Sequence, residues 1–409
     1  MRARGIHGLR PAVLLAMAAI ILLSPWGTLE AGASPAPPPG PPAVDPSGGL
    51  LPDQASDRAV EVIGEKLVSR GGRYHDLDDA RAAPEAALRA SSVAASGDYR
   101  IDSLLSGYQW TVPTITYSFY SSAVFGGSYY GPEATGSEVS EAVKSNVRQI
   151  MAWYGTLLNV SFVEVPETPA SIGLVRFLLS TGPGYAYSYY PAGTNPFSVA
   201  GDVLLNPSYD RLGDTNGFQH PAGQHGYVTL IHEIGHALGL KHPFEASPAL
   251  PAGEENDSNT VMSYAWAGSA PGTPMVYDVM ALQYIYGARA RNAASESYGF
   301  TSRGSDQYSV GSDLFLSTPY ATKQAIWDSA GYNTLDFTAL PARSSGYRLD
   351  LNGTGWLTAQ ADYVSNVNGI YFYRGTALGA PVAIGAVVNS SSSDTIREPL
   401  SQHPRGIQS

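Results

Sequence analysis

The stretch His232-Glu233-Ile234-Gly235-His236-Ala237-Leu238-Gly239-Leu240-Lys241-His242 decides how the rest of the chain is read. His232 and His236 stand four apart, so on a helix both imidazoles leave one face and reach a single cation. Glu233 follows one residue on, rotated by about 100° around the helix. That places it beside the metal but badly aimed to ligate it; a base acting on metal-bound water belongs there. Gly239 adopts positive φ readily, which ends the helix and lets the chain fold back to bring His242 in as third ligand. Three neutral imidazoles leave a fourth position open for water, the pattern of a catalytic rather than a structural site. Ordinary core histidines are the bland reading, and five specified residues at fixed spacing weigh against it.

Working outward, the metal-binding helix is predicted over about 227–238. Upstream, Val139, Val143, Val147, Ile150, Met151, Tyr154 and Leu157 mark an amphipathic helix over 138–158, with Thr135 and Glu138 as its capping box. Strands are predicted at 114–120, 160–165, 172–179, 186–190 and 202–205. Strands and a helix ahead of the active-site helix imply an α/β or α+β sheet domain with helices packed on it. Tyr185, Tyr187, Tyr189 and Tyr190 crowd one of these strands. As an edge strand it would pair with an extended peptide through its main chain; a plain tyrosine-rich sheet surface is the alternative.

Beyond Gly287 short β-prone segments alternate with Gly, Ser and Asn: 324–328, 334–337, 347–351 and 369–373. They predict a separate all-β C-terminal domain over 289–409. At the other end, Arg2, Arg4 and Arg10 precede an apolar run from Ala12 to Leu23 that is short for a membrane span. Residues 1–33 therefore read as a signal peptide cleaved before Ser34, with an uncleaved anchor as the alternative. Residues 34–96 read as a Pro-rich spacer followed by a pro-segment, with a helix over 56–69. His75, in that segment, is expected to be a plain surface histidine. The catalytic domain is placed at 97–288.

The 409 residues include no cysteine, which excludes disulfides, thiolate ligands and a cysteine nucleophile or latch. With 24 basic against 35 acidic residues the net charge is −11, and no basic run lies outside the extreme N-terminus. Nucleic acid is not an expected partner.

Asn259-Thr260-Val261-Met262-Ser263-Tyr264 follows the histidine motif. Together the two resemble the metzincin clan, in which a methionine-containing turn lies under the metal. The nearest resemblance is to the serralysin family of secreted bacterial zinc endopeptidases. It is carried further by 101–110 (Ile-Asp-Ser-Leu-Leu-Ser-Gly-Tyr-Gln-Trp), by Gly201-Asp202-Val203 and by Tyr277 to Ala288. Ile326-Trp327-Asp328 and Asn333 to Phe337 extend it towards the C-terminus. It covers about 101–396 and is most specific over 227–288.

The resemblance implies an α+β fold: a twisted mixed sheet with helices, an active-site helix and a Met-turn, followed by a small β-rich domain. It implies that His232, His236 and His242 ligate Zn2+, that Glu233 is the general base, and that Met262 forms the apolar floor. Tyr264 would ligate the resting metal and swing away to hydrogen-bond the oxyanion; a phenol packed in the interior is the alternative. Asp278 is read as the N-cap of the following helix. His220 and His225 are read as loop residues, and Lys241 as solvent-facing.

Two departures stand out. Serralysin-like proteins leave the cell through a C-terminal signal, whereas this chain carries an N-terminal one. They also bind calcium in tandem Gly- and Asp-rich nonapeptides, where this chain has Asn389-Ser390-Ser391-Ser392-Ser393-Asp394-Thr395-Ile396. Serines do not make those tight turns and one copy cannot stack on itself, which argues against Ca2+ there. Asp328, Gly331 and Asn333 form a partial calcium-ligand set; a solvent-exposed turn is the preferred reading.

The expected function is a secreted, extracellular zinc metalloendopeptidase acting on protein or peptide substrates, with no stable membrane association after signal cleavage. A zinc hydrolase for another amide, such as a cell-wall peptide, and a non-catalytic binding protein on the same fold remain as alternatives.

Overall fold

The computed structural model describes residues 89–191, 199–267 and 270–291, and beyond them mainly the strands between 297 and 397. These residues all fall within one of two units, Val44–Ser409; the other, Met1–Ala43, lies outside them. The signal peptide, the Pro-rich spacer, the 56–69 helix, His75 and residues 389–394 are also outside, as are Asp328 and Gly331 of the calcium set.

Five strands form the sheet that carries the site: β3 (Thr114–Phe119), β4 (Ser161–Glu164), β5 (Val175–Leu179), β6 (Ala186–Ser188) and β7 (Asp202–Leu205), ordered β4-β3-β5-β7-β6. Neighbours are parallel except β6, which runs antiparallel to β7 at the edge. β5 and β7 are buried along their whole length and are apolar apart from Arg176 and Asp202, where a half-exposed strand would alternate. β1 (Ala90–Ser92) pairs antiparallel with β2 (Tyr108–Trp110), across the boundary expected at residue 97.

Single-turn helices α1 (Tyr99–Asp102) and α2 (Ser122–Phe125) precede the longer α3 (Glu141–Leu157). Val143, Val147, Ile150, Met151, Tyr154 and Leu157 form its buried stripe, spaced as a helix requires. The capping box expected at Thr135 and Glu138 is not made. Ser140 is the N-cap and accepts from Val143 N, while Glu138 Oε1 accepts from Ser122 N. The chain before Ser140 is extended, so the helix starts three residues later than its apolar pattern does.

Helix α4 (His225–Ala237), which carries His232, Glu233 and His236, is buried from Gly226 to Ala237 and packs between α3 and the β6–β7 edge. α5 (Val276–Tyr286) follows. Its Asp278 is the third helical residue, and the N-cap is Met275, a correction to the sequence reading. The Asp278 carboxylate still accepts from Met275 N at 2.7 Å, so it serves the helix start from inside.

Beyond residue 291 the described residues contain strands and no helix. β8 (Ser297–Ser302), β9 (Tyr308–Val310), β11 (Tyr332–Asp336) and β15 (Ala383–Val388) form one sheet. β10 (Gln324–Trp327), β12 (Arg348–Asp350), β13 (Trp356–Gln360), β14 (Gly369–Tyr373) and β16 (Thr395–Arg397) form another. Buried Trp327 donates from Nε1 to Arg289 O at 2.8 Å, tying β10 to the chain after α5. Among the described residues no helix is long and apolar enough to cross a membrane.

Candidate metal centre and active site

α4 delivers His232 and His236 from one face, and the turn after it delivers His242; all three are buried. Gly239 makes that turn at φ +105°, passing so close to β2 that a Cβ there would sit 2.4 Å from Tyr108 O. Leu240 N returns to Gly235 O at 2.9 Å and closes the helix.

Each imidazole is oriented through Nδ1. His232 Nδ1 meets Val261 O at 2.8 Å and His236 Nδ1 meets Leu240 O at 2.7 Å. A carbonyl only accepts, so both rings carry their proton on Nδ1 and present a bare lone pair at Nε2. His242 Nδ1 is bonded to the Glu245 carboxylate. The Nε2 atoms converge: His242 lies 3.1 Å from His236 and 3.3 Å from His232. Lone pairs that close repel one another unless a cation lies between them. Three nitrogens each about 2.0–2.1 Å from one tetrahedral ion lie roughly 3.3 Å apart, so the donor set fits zinc.

Under the triad, Met262 is fully buried with its sulfur against α4; a Cβ on Gly235 would stand 2.7 Å from Sδ. Asp278 pins the turn that carries it, accepting from Thr260 Oγ1 at 2.5 Å and from Val261 N at 2.8 Å. Burial pushes its carboxyl up to about 6, against these donors. Met262 N in turn donates to Thr260 Oγ1 at 3.0 Å. The same Val261 thus meets Asp278 through its N–H and His232 through its carbonyl.

Glu233 is buried, and its Oε2 accepts from Ser188 Oγ of β6 at 2.7 Å. Tyr264 is 41 % exposed, with its hydroxyl 3.0 Å from His242 Nε2, so it is not the interior phenol of the alternative reading. Phe244, also exposed, lies parallel on the His242 ring at 5.1 Å and 5.0 Å from the Tyr264 ring.

A family model described as Met-zincin matches residues 227–302, the active-site helix through the Met-turn to the first C-terminal strand. Serralysin of Proteus mirabilis is 28 % identical over 228 residues, covering 49 % of this chain and 45 % of that protein. Serralysin A of Dickeya chrysanthemi is 30 % identical over 235 residues, covering 51 % and 46 %. The chain is similar to serralysin-like metzincins over the region that carries the site. It spans about half the length of the relatives it matches; metallopeptidase AprA of Pseudomonas marginalis, 28 % identical over 268 residues, is covered to 52 %.

The predicted residues His232, His236 and His242 come together as a group able to hold a metal ion, among the described residues. His220 and His225 stay outside it. His225 opens α4 and stacks on Tyr185 at 5.7 Å; burial and then neighbouring His232 push its imidazole below the usual range. His220 stands edge-on to Tyr320 at 6.4 Å. Lys241 is not solvent-facing, a second correction. Its ammonium donates to Ser103 O at 2.7 Å, Glu245 O at 2.8 Å and His242 O at 3.3 Å, because the turn around it leaves those carbonyls turned inwards.

Strand β6 is the sheet edge, as one reading of the tyrosine cluster expected. Its faces divide the labour. Tyr187 and Tyr189 both bond Glu133 Oε1, the latter at 2.8 Å, while Ser188 reaches Glu233 and Tyr190 stands edge-on to His236 at 5.6 Å. Sequence reasoning missed Ser188 and Glu245. Glu245 sits three residues after His242 and was findable on that spacing; Ser188 reaches Glu233 across 45 residues and left no local signal.

Proposed function

We propose that this chain is a zinc-dependent endopeptidase that cleaves peptide bonds in proteins. The reading rests on one observation above the others: His242 Nε2 lies 3.1 and 3.3 Å from those of His236 and His232, beside a buried carboxylate on the helix that carries the latter two. His232, His236 and His242 would hold the ion. A zinc ion there supplies Lewis acidity, lowering the pKa of water to about 7 and polarising a carbonyl.

The chain's own residues do the rest. Glu233 Oε2 is occupied by Ser188, which turns the carboxylate so that Oε1 takes a proton from the attacking water. The same oxygen then passes that proton to the departing amine, one group serving first as base and then as acid. The Tyr264 hydroxyl donates to the scissile oxygen as negative charge develops on it. Met262 keeps the space beneath the rings dry and apolar.

A peptide is held along β6. Tyr185, Tyr189 and their partners Asn206, Asp202 and Gly201 use the main-chain groups facing β7. By antiparallel alternation, those of Ala186 and Ser188 face the other edge, in line with Glu233. The catalytic domain, expected over 97–288, also takes in the 90–95 segment paired with β2, and 289–409 is a β-rich C-terminal domain. The apolar run after Arg10 directs the chain out of the cell, and N-terminal sequencing of exported protein tests this; a start at Met1 overturns it.

Casein or gelatin cleavage by wild type and Glu233→Gln, at matched zinc content, tests the function. Cleavage by wild type that falls by several orders of magnitude in the variant supports it, and equal rates end it.

A further inference from the structure

Two of the three imidazoles are aimed by backbone carbonyls, Val261 O and Leu240 O, which no substitution removes. The third is aimed by a side chain. His242 Nδ1 bonds Glu245, whose carboxylate is three residues along and half-buried. We propose that Glu245 is the positioning residue that fixes the proton of His242 on Nδ1 and turns its Nε2 into the metal site, with Lys241 clamping the intervening turn. The inference deepens the metal-site reading and rests on it.

The turn is built for this. Glu245 N returns to His242 O at 3.3 Å, and Leu250 N to Pro243 O at 2.9 Å. The Lys241 ammonium gathers the carbonyls of Ser103, His242 and Glu245 at 2.7–3.3 Å, neutralising dipoles that would otherwise splay the loop. Lys241 N also donates to Leu104 O at 2.8 Å, so the clamp is anchored to the 103–105 segment on both main chain and side chain. On the open side, Phe244 covers the His242 ring face at an interplanar angle of 3°. His242 leaves the helix by a glycine turn and has no helical neighbours to fix its rotation. Carboxylate, clamp and stacked ring supply that constraint instead. A carboxylate partner also makes an imidazole a stronger donor than a carbonyl partner does.

Zinc affinity of the full chain, measured by competition with a chromophoric chelator, tests this with Glu245→Ala, Glu245→Gln and Lys241→Met. Glu245→Ala is expected to weaken zinc 10- to 100-fold, the usual cost of losing such a partner. Glu245→Gln, which keeps an acceptor without the charge, should fall between Ala and wild type. Lys241→Met should weaken zinc while leaving His242 Nδ1 protonated. The thermal midpoint of the chelated protein is expected to be the same for wild type and Glu245→Gln, which separates positioning from folding. Zinc binding by Glu245→Ala within twofold of wild type overturns the proposal.

Should Glu245→Ala fail to fold, side-chain 15N NMR of the zinc-loaded wild type decides. A His242 proton on Nδ1 supports the proposal and one on Nε2 overturns it. Wild type that binds no stoichiometric zinc would instead overturn the metal-site reading itself.

Discussion

Ser188 Oγ, on the edge strand of the sheet, donates to Glu233 Oε2, on the active-site helix, across 2.7 Å. Both residues are buried, so the contact joins the element that would hold a peptide to the group that would move the proton. Hydrogen bonds to a charged group contribute about 1.5–3 kcal/mol. Ser188→Ala is therefore expected to lower kcat by about 10-fold or more, at 1.4 kcal/mol per decade. Zinc content should stay at the wild-type level. Unchanged kcat at full zinc occupancy would remove Ser188 from the mechanism.

Tyr264 reaches the site with its hydroxyl, 3.0 Å from His242 Nε2, and with its ring, 4.8 Å from that of His242. Tyr264→Phe deletes that hydroxyl and keeps the ring. If the contact matters only as charge develops on the scissile oxygen, kcat falls by roughly 10²-fold with KM nearly constant. Steady-state kinetics with parallel metal analysis read the outcome. Loss of zinc from the variant would make the phenol a ligand first.

Gly239 combines φ +105° with a backbone oxygen only 2.4 Å from where a Cβ would lie. Backbone strain of about 1–3 kcal/mol adds to overpacking of about 1–3 kcal/mol. Gly239→Ala should lower the melting temperature by on the order of 10 °C, at roughly 2–4 °C per kcal/mol, and displace His242 so that zinc binds weakly. Gly253, where an added methyl would meet nothing within 4 Å and φ is not positive, is the matched control. Equal melting temperatures for the two alanine variants would contradict the close approach.

Asp202 is buried beside the Arg176–Glu167 ion pair and accepts from the Tyr129 and Tyr130 hydroxyls at 2.7 and 2.6 Å. Burial pushes its carboxyl up to about 8 from 3.8, outweighing those donors and Arg176. Between these values the folded chain keeps a proton that the unfolded chain has lost. The Asp202 contribution to stability is therefore greatest below 3.8 and is lost as pH rises towards 8. The slope is at most about 1.4 kcal/mol per pH unit. Denaturant unfolding of wild type and Asp202→Asn at pH 5 and pH 7.5 isolates this group; wild type should lose ground to the variant at the higher pH. Parallel curves would show the carboxyl to be ionised throughout.

The pairing of His232 with His236 is legible because helix geometry converts a four-residue spacing into a shared face, with no long-range information needed. The strands of the main sheet are legible for a similar reason, as apolar runs bounded by turn residues. Three things are not. The start of α3 depends on Ser140, whose hydroxyl caps the helix and also bonds Asp210 at 2.5 Å, seventy residues away. Asp278 reads as an N-cap, one turn off its true place, because its partners Val261 N and Thr260 Oγ1 come from the Met-turn rather than from its own helix. Lys241 reads as solvent-facing because charge favours water, and nothing local announces a ring of inward carbonyls. Local periodicity is readable; tertiary satisfaction of polar groups is not.

The pairing of Ala90–Ser92 with Tyr108–Trp110 sets a limit on truncation from the amino end. The strand is continued by Val93 N to Gly107 O at 2.8 Å, and the Tyr284 phenol grips Ala94 O at 3.1 Å. A truncation that stops short of this stitched hem leaves it paired. A cut beyond it would unpick β2, against which the Gly239 bend rests, and so loosen the third histidine from a distance.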